Sequence, residues 1–205
     1  MKFLDPHGMI PKLGVEYGTF KDTRDGKEYP TVKVNGIEWF RDDLDYDDTE
    51  DYTAGLGDLF GGLHVPSYKE KKSSRMYGFK EAQHACPDGW KIPERSDWID
   101  LFRKITDNKA PYEWKDKDRH LIYEALVGKN SILKLKLNGN YAEKAEYMWN
   151  RNTFKDFNMK GYYWSSTPGS LTNGGACFIF GRFEGNYAED VLYDFCAARP
   201  IKKNI

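Results

Sequence analysis

The chain has 205 residues, enough for one well-buried domain and few for two. Its 31 Lys and Arg residues against 32 Asp and Glu residues give a net charge of -1, and no basic stripe stands out, so we expect no nucleic-acid partner. No apolar run approaches the roughly 20 residues that span a bilayer, and the first residues lack the apolar stretch of a signal peptide. We therefore expect no membrane span, and a chain that is cytoplasmic, leaves the cell by another route or has lost a leader.

The N-terminal segment, residues 1–19, shows no clear hydrophobic period and carries Pro6, Pro11 and three glycines. We interpret it as an arm or attachment segment that precedes a single domain over residues 20–205. The run from Phe20 to Phe40 predicts two short strands around a turn at Asp25-Gly26.

An acidic run follows these strands. Three aspartates in the loop from Asp43 to Asp51 have the 1, 3, 5 spacing of an EF-hand loop: Asp43, Asp45 and Asp47. The glycine that such a loop requires is replaced by Asp48, and the closing glutamate by Ala54. A solvated acidic loop is therefore favoured over a calcium site, and we expect no cofactor.

Three helices are predicted in the middle of the chain. The first has apolar and small residues at helical spacing up to Pro87, which ends it: Met76, Phe79, Ala82, Gln83 and Cys86. The second opens at Pro93 and places four residues on one face: Trp98, Leu101, Phe102 and Ile105. The third lies within a helical insertion near residues 112–128 and ends at Gly128.

Strands dominate the second half of the chain. Leu133, Leu135 and Leu137 alternate with lysines, which predicts a half-buried strand followed by a turn at Asn138-Gly139. Alternation over residues 177–182 predicts another strand, and residues 187–195 and 197–202 predict the last ones.

Three ordered motifs resemble one known family, the Fibrobacter succinogenes major paralogous domain. The central one is Ala82-x-x-Ala85-Cys86-Pro87-x-Gly89-Trp90-x-Ile92-Pro93, followed by Trp98 and Leu101. The run from Phe20 to Trp39 resembles the family's opening, and Gly161-Tyr162-Tyr163-Trp164-Ser165-Ser166-Thr167 its third signature. The resemblance implies an α+β protein with a C-type lectin-like fold, in which two helices pack on a small twisted antiparallel sheet with long loops. Trp90, Trp98 and Trp164 are expected to hold that fold together.

The same resemblance implies a disulfide between the Cys86 motif and the last strand. Here Pro200 stands where the second cysteine is expected, and Cys196 lies four positions earlier. A Cys86–Cys196 bridge and three reduced thiols are both open interpretations, because a bridge requires close geometry.

Catalytic patterns are not found in the sequence. His84 precedes Cys86 by two residues, and such neighbours on a helix point apart, so a thiolate–imidazole pair is disfavoured. The sugar-binding motifs of calcium-dependent C-type lectins are missing, with Trp149-Asn150-Arg151 the nearest approach. The paired catalytic cysteines of formylglycine-generating enzymes have no counterpart. We expect that the protein is not an enzyme.

The candidate binding residues lie in a late, glycine-rich segment. Polar and aromatic residues with one arginine are typical of adaptable binding loops: Ser170, Thr172, Asn173, Arg182, Phe183, Glu184, Asn186 and Tyr187. Ordinary hairpin turns would explain the same composition. We expect a non-enzymatic binding or adhesion module on a bacterial surface or virion, with a protein or glycan ligand as its partner.

Two alternatives remain open. A structural subunit of a virion (fibre, tail or capsid-decorating) or of a pilus would dock to other subunits through the N-terminal arm. The Trp164-Ser165-Ser166 and Arg199-Pro200 sequences are also similar to the variable proteins of diversity-generating retroelements, which diversify the last section of a C-type lectin-like fold.

Overall fold

The computed structural model describes residues 13–47, 67–68, 74–142, 153–169, 175–181, 188–191 and 194–203. Its helices are α1 (Phe79–His84), α2 (Arg95–Ile105) and α3 (Asp116–Leu126), with a 3-10 turn at Pro111–Glu113. The strands are β1 (Val15–Lys21), β2 (Glu28–Val34), β3 (Ile37–Phe40), β4 (Ser67–Tyr68), β5 (Met76–Tyr77), β6 (Asn138–Ala142), β7 (Thr153–Phe157), β8 (Lys160–Pro168), β9 (Gly175–Gly181), β10 (Ala188–Val191), β11 (Asp194–Ala197) and β12 (Ile201–Lys203). The described residues therefore form an α+β protein.

The smaller sheet joins the beginning of the described chain to its end. Its strand order is β1-β2-β3-β12, and each described pair is antiparallel. Asn35 and Gly36 connect β2 and β3 with φ values of 52° and 79°, the left-handed conformation that tight hairpins use. Ile201 of β12 pairs with Trp39 of β3.

The predicted N-terminal arm, residues 1–19, overlaps the first strand of the structure. Strand β1 begins at Val15, whereas the arm was expected to reach residue 19, and Val15 pairs with Val34. Most side chains of β1 are exposed, so the apolar period is weak and the strand is hard to detect in the sequence. The rest of the predicted arm, residues 1–12, lies outside the described residues.

The larger sheet has the strand order β10-β9-β8-β6-β11-β5-β4, with β7 paired to β6. Strand β8 pairs antiparallel with β9 but parallel with β6 and β11. The expected small antiparallel sheet is thus wrong in two respects, since the described strands form two sheets and one is mixed. Strands from distant parts of the sequence meet at β8, which makes it the centre of the molecule.

Strands β8 and β9 are buried on both faces, and each face belongs to a different core. On one face Trp98 of α2 packs against Phe178 and Phe180, with ring centroids 5.6 and 5.7 Å away. On the other face Trp164 contacts Phe79 of α1, at 5.5 Å, and its indole nitrogen donates to the carbonyl of Tyr77 at 2.7 Å. Alternation along the strands sends neighbouring side chains into different cores.

The helices follow the predicted apolar faces. Helix α2 buries Trp98, Leu101, Phe102 and Ile105, as its period predicts. It begins after Pro93, where the Glu94 backbone N–H donates to the Asp97 carboxylate at 2.9 Å. Helix α1 is shorter than predicted because Met76 lies in β5. Helix α3 lies within residues 112–128, where a helix was predicted.

The leucine-rich segment after α3 differs from its prediction. Leu135 makes only an isolated bridge with Val127, and Lys134 has a φ of 50°, which interrupts an extended strand. Asn138-Gly139, expected as a turn, lies inside β6. Leu133 and Leu135 are buried in one core with residues of α2 and α3, whereas Leu137 is only half-buried.

In the described part of the chain, no helix is both long and apolar enough to cross a membrane.

Candidate binding site

All eight residues predicted to bind a ligand lie outside the described residues, as does Trp149-Asn150-Arg151. The strands that border them are described and divide the eight into two groups. Residues 170–174 join β8 to β9 beyond the Pro168–Gly175 pair, whereas residues 182–187 join β9 to β10 beyond the Lys160–Gly181 pair. These ends of β9 are roughly 20 Å apart at about 3.4 Å per residue.

A cleft lies at the end of β8 that borders residues 170–174. Its volume is about 580 Å³, within the roughly 300–1,000 Å³ of small-molecule sites. We call it the β8 groove. The described residues that line it come from α1, the turn before α2 and the end of β8: Gln83, Lys91, Ile92, Glu94, Ser166, Thr167 and Pro168.

Backbone hydrogen bonds fix the walls of the β8 groove. The Ser166 N–H donates to the Pro93 carbonyl at 2.8 Å, and the Arg95 N–H donates to the Thr167 hydroxyl oxygen at 2.9 Å. Lys91 and Ile201 exchange two backbone hydrogen bonds, of 2.9 and 2.8 Å. The start of α2 is therefore joined to β8 and β12, and the groove does not depend on a loose loop for its shape.

The aromatic core beneath the groove holds the turn before α2 in place. Trp90 packs edge-on against Phe40, with ring centroids 4.5 Å apart, and lies 5.1 Å from Phe20. Because Trp90 points into this core, the next residue, Lys91, points outward. The alternation Trp90-Lys91-Ile92 was the signal in the sequence that could have revealed Lys91 as a groove residue.

The groove offers hydrogen-bonding groups of both kinds. The Lys91 ammonium lies 2.9 Å from the Glu94 carboxylate, and both side chains are about half exposed, at 48 and 49 %. Exposed pairs of this kind contribute little to stability. The Glu94 carboxylate also accepts a hydrogen bond from the Ser96 hydroxyl at 3.5 Å. Gln83 adds an amide, and Ser166 adds a hydroxyl. This set suits the recognition of hydroxyls and amides, as in glycans or peptides.

Cysteine chemistry does not contribute to the groove. The Cys86 thiol donates to the Ala82 carbonyl at 3.4 Å, and burial raises its pKa to about 12, although the Arg24 charge acts to lower it. A thiol in this state is a poor nucleophile. Cys86 has the environment of a packing residue.

Of the two open interpretations, the Cys86–Cys196 bridge is not formed. All three cysteines are free, and the sulfur of Cys196 lies 3.3 Å from that of Cys177. Cys177 and Cys196 occupy strands on either side of β8 and point into the same core. The second interpretation of the sequence, three reduced thiols, agrees with this arrangement.

The aspartates around Asp43 form ion pairs with basic side chains of the protein itself. Asp43 is buried and accepts hydrogen bonds from Arg199 and Ser74. Asp45 pairs with Lys27, at 2.5 Å, and with Arg75, at 3.4 Å. Within the described residues no group of His, Cys, Asp or Glu could hold a metal ion. Asp48 to Asp51 of the candidate calcium loop lie outside those residues.

In comparisons with known proteins, no family model, no curated protein and no solved structure matches the chain.

Proposed function

We propose that this protein is a non-enzymatic binding module with a C-type lectin-like fold, and that it binds a protein or glycan ligand through the β8 groove and the residues that follow it. The observation that carries the proposal is the position of the groove. A cleft that carries several hydrogen-bonding side chains opens where β8 ends, directly before the predicted binding residues Ser170, Thr172 and Asn173 in the sequence.

The fold assignment is supported by the places of the motif residues. Trp98 and Trp164 are almost completely buried, and Trp90 is only 7 % exposed. Each of the three tryptophans joins a helix or turn to a sheet, which is the role expected of them in the resembled family. Two of the helices, α1 and α2, pack on opposite faces of the β8–β9 pair. The described strands form two sheets, one of them mixed, where the resemblance implied one small antiparallel sheet.

Binding is favoured over catalysis by the chemistry of the groove. Its described lining holds hydroxyl, amide, ammonium and carboxylate groups but no histidine or cysteine. A nucleophile beside a general base, which covalent catalysis requires, is not formed by these side chains. Lys91 and Glu94 form an exposed ion pair, an arrangement that serves ligand orientation and solubility. On the resemblance, we place the protein on a bacterial surface or a virion.

Binding measurements with the full chain test this proposal. The labelled protein is applied to an array of bacterial surface glycans and peptides, and Gln83→Ala and Lys91→Ala are compared with Lys104→Ala. Lys104 is an exposed lysine of α2 outside the groove. We expect both groove variants to lose binding, and Lys104→Ala to keep it. All three should unfold at the same temperature.

A second pair of variants locates the site if the groove is not used. Asn186→Ala and Tyr187→Ala lie at the other predicted end of the segment. Loss of binding in these two alone would move the site to the opposite end of β9. Binding that resists all four substitutions would refute a site at either end.

A further inference from the structure

A second cavity lies beside the helical insertion. Its volume is about 510 Å³. It is bounded by α3, by the loop from Gly128 to Leu137 and by Asn158 before β8. It shares no lining residue with the β8 groove. The two cavities are therefore separate sites, and a ligand of the second one does not depend on the proposed function.

The lining of this cavity is positive although the whole chain has a net charge of -1. Its described charged side chains are those of Lys129, Lys134, Lys136 and Asp42, and Tyr123 adds a phenol hydroxyl. We call it the lysine pocket. Three ammonium groups around one concave surface raise the local concentration of anions.

The lysines of the pocket are not neutralised by the described residues. Lys129 and Lys134 form no ion pair with any residue that the structure describes. Lys136 lies 3.9 Å from the Asp43 carboxylate, but that carboxylate is already bound to Arg199, and the Lys136 side chain is 53 % exposed. Positive charge is thus left over at the surface of the pocket.

Lys134 has an unusual backbone conformation. Its φ is 50°, and the other non-glycine residues with positive φ in the described chain are all asparagines or aspartates. Those two residue types tolerate the left-handed region, whereas a lysine there is strained. Strained residues persist where the surroundings hold them, and they concentrate at functional sites.

A dense hydrogen-bond network holds Lys134 in that conformation. The Ser131 hydroxyl accepts the Lys134 N–H at 2.9 Å and donates to the Leu126 and Gly128 carbonyls. The Arg41 guanidinium binds the carbonyls of Ser131 and Ile132, at 3.1 and 2.8 Å. The loop is therefore preorganised.

The far side of the pocket is equally fixed. The Lys136 N–H donates to the buried Tyr163 hydroxyl at 2.7 Å, and the Asn158 N–H donates to the Leu137 carbonyl at 2.8 Å. Tyr123 and Leu137 are half-buried and supply apolar surface beside the lysines. Ligand sites of proteins commonly combine a few fixed polar groups with such walls.

We propose that the lysine pocket binds a small organic anion, with its carboxylate, sulfate or phosphate group against Lys129, Lys134 and Lys136 and its body against Tyr123 and Leu137. The left-handed backbone at Lys134 fixes where its side chain leaves the loop. The ligand class is defined by charge, and an acidic sugar and a phosphorylated metabolite share that chemistry.

Titration of the full chain with glucuronate, inorganic phosphate and uncharged glucose tests the proposal. Amide resonances of Gly128, Lys129 and Lys134 are followed by heteronuclear NMR. Glucuronate and phosphate should shift these resonances, glucose should not, and added NaCl should weaken the response because it screens the charges. A stronger response to glucuronate points to acidic sugars, and a stronger response to phosphate points to phosphorylated ligands. Absence of any shift, or an equal shift with glucose, refutes the proposal.

Two substitutions separate charge from fold. Lys134→Gln removes the ammonium and keeps the strained backbone, whereas Lys134→Gly removes both. Each should weaken anion binding about tenfold, the effect of one charged hydrogen bond. The Tm of Lys134→Gly should be at least that of Lys134→Gln. Lys104→Gln, on exposed α2, should bind as the unaltered chain does. Unchanged affinity in Lys134→Gln would overturn the assignment.

Discussion

Replacing Asp43 by alanine removes the carboxylate of a completely buried ion pair. The Arg199 side chain has no exposed surface, and its Nη2 group is bound to Asp43. In the variant the guanidinium keeps a 3.4 Å hydrogen bond to the Phe40 carbonyl and its contact with the Tyr163 ring, 5.5 Å away, but it loses its carboxylate partner. Its Nε already lacks a hydrogen-bond partner. A guanidinium cannot lose its proton, so the charge stays buried. We expect the free energy of unfolding to fall by about 3–5 kcal/mol.

The opposite substitution should cost less. In Arg199→Met the Asp43 carboxylate keeps the hydrogen bond from Ser74, and the Lys136 ammonium lies 3.9 Å away and is free to approach. Methionine also refills the apolar part of the space. The double variant Asp43→Leu/Arg199→Met removes both charges, and we expect it to be more stable than Asp43→Ala, because exchanging a whole buried pair for apolar groups is often neutral.

Urea unfolding followed by tryptophan fluorescence measures these differences. For a chain of this size the loss in Asp43→Ala corresponds to a fall in Tm of about 6–20 °C. Arg103→Met is the control, since Arg103 and Asp100 form an exposed pair at 3.5 Å that should contribute less than about 1 kcal/mol. If Asp43→Ala lost no more free energy of unfolding than Arg103→Met, the unpaired Arg199 charge would not be costly, and the explanation would be refuted.

Three further substitutions test the cores. Trp98→Ala should lower the free energy of unfolding by about 3–5 kcal/mol in urea, and a loss below about 1 kcal/mol would contradict its central place. In Gly175→Ala the new Cβ would lie 2.1 Å from the Phe79 ring, so a loss of about 1–3 kcal/mol is expected, and unchanged stability would mean that the ring lies elsewhere. Burial acts to raise the pKa of Asp22, but hydrogen bonds and the charge of Arg24 together lower it from 3.8. That stabilisation is present above the unfolded pKa and is lost as the pH falls through the lower folded pKa. The stability gap between the unaltered chain and Arg24→Met should therefore shrink below about pH 4, and a gap independent of pH would count against it.

Local patterns predicted the helices well because their apolar faces are complete within one element. Trp98, Leu101, Phe102 and Ile105 recur at helical spacing and are all buried in α2. Pro93 and the Asp97 cap mark the start of that helix in the sequence itself. The helical insertion was visible for the same reason.

The leucine segment shows where local patterns mislead. Alternating Leu133, Leu135 and Leu137 predicted a strand, but the carbonyls and hydroxyl around Ser131 hold Lys134 in a left-handed conformation. Leu133 and Leu135 are still buried, so the alternation correctly marked burial while the backbone followed the packing of α3. Tertiary hydrogen bonds outweighed the preference for an extended chain.

The cysteines show that local patterns also fail to predict contacts between residues far apart in the sequence. Spacing and resemblance paired Cys196 with Cys86, whereas Cys196 lies beside Cys177 because both border β8. A parallel pairing of β8 with β11 brings them together, and no local pattern in either strand specifies which distant strand will be its neighbour.

By itself, the sequence determined the buried apolar face of α2, the approximate places of the three helices, and that the protein mixes helices with strands. Only the tertiary structure decided the order of the strands, the joining of Lys91 and Glu94 with Ser166 in one groove, and the gathering of three lysines around one cavity. The physical reason is that burial and helix formation depend on neighbours along the chain, whereas a binding surface depends on which distant segments pack together.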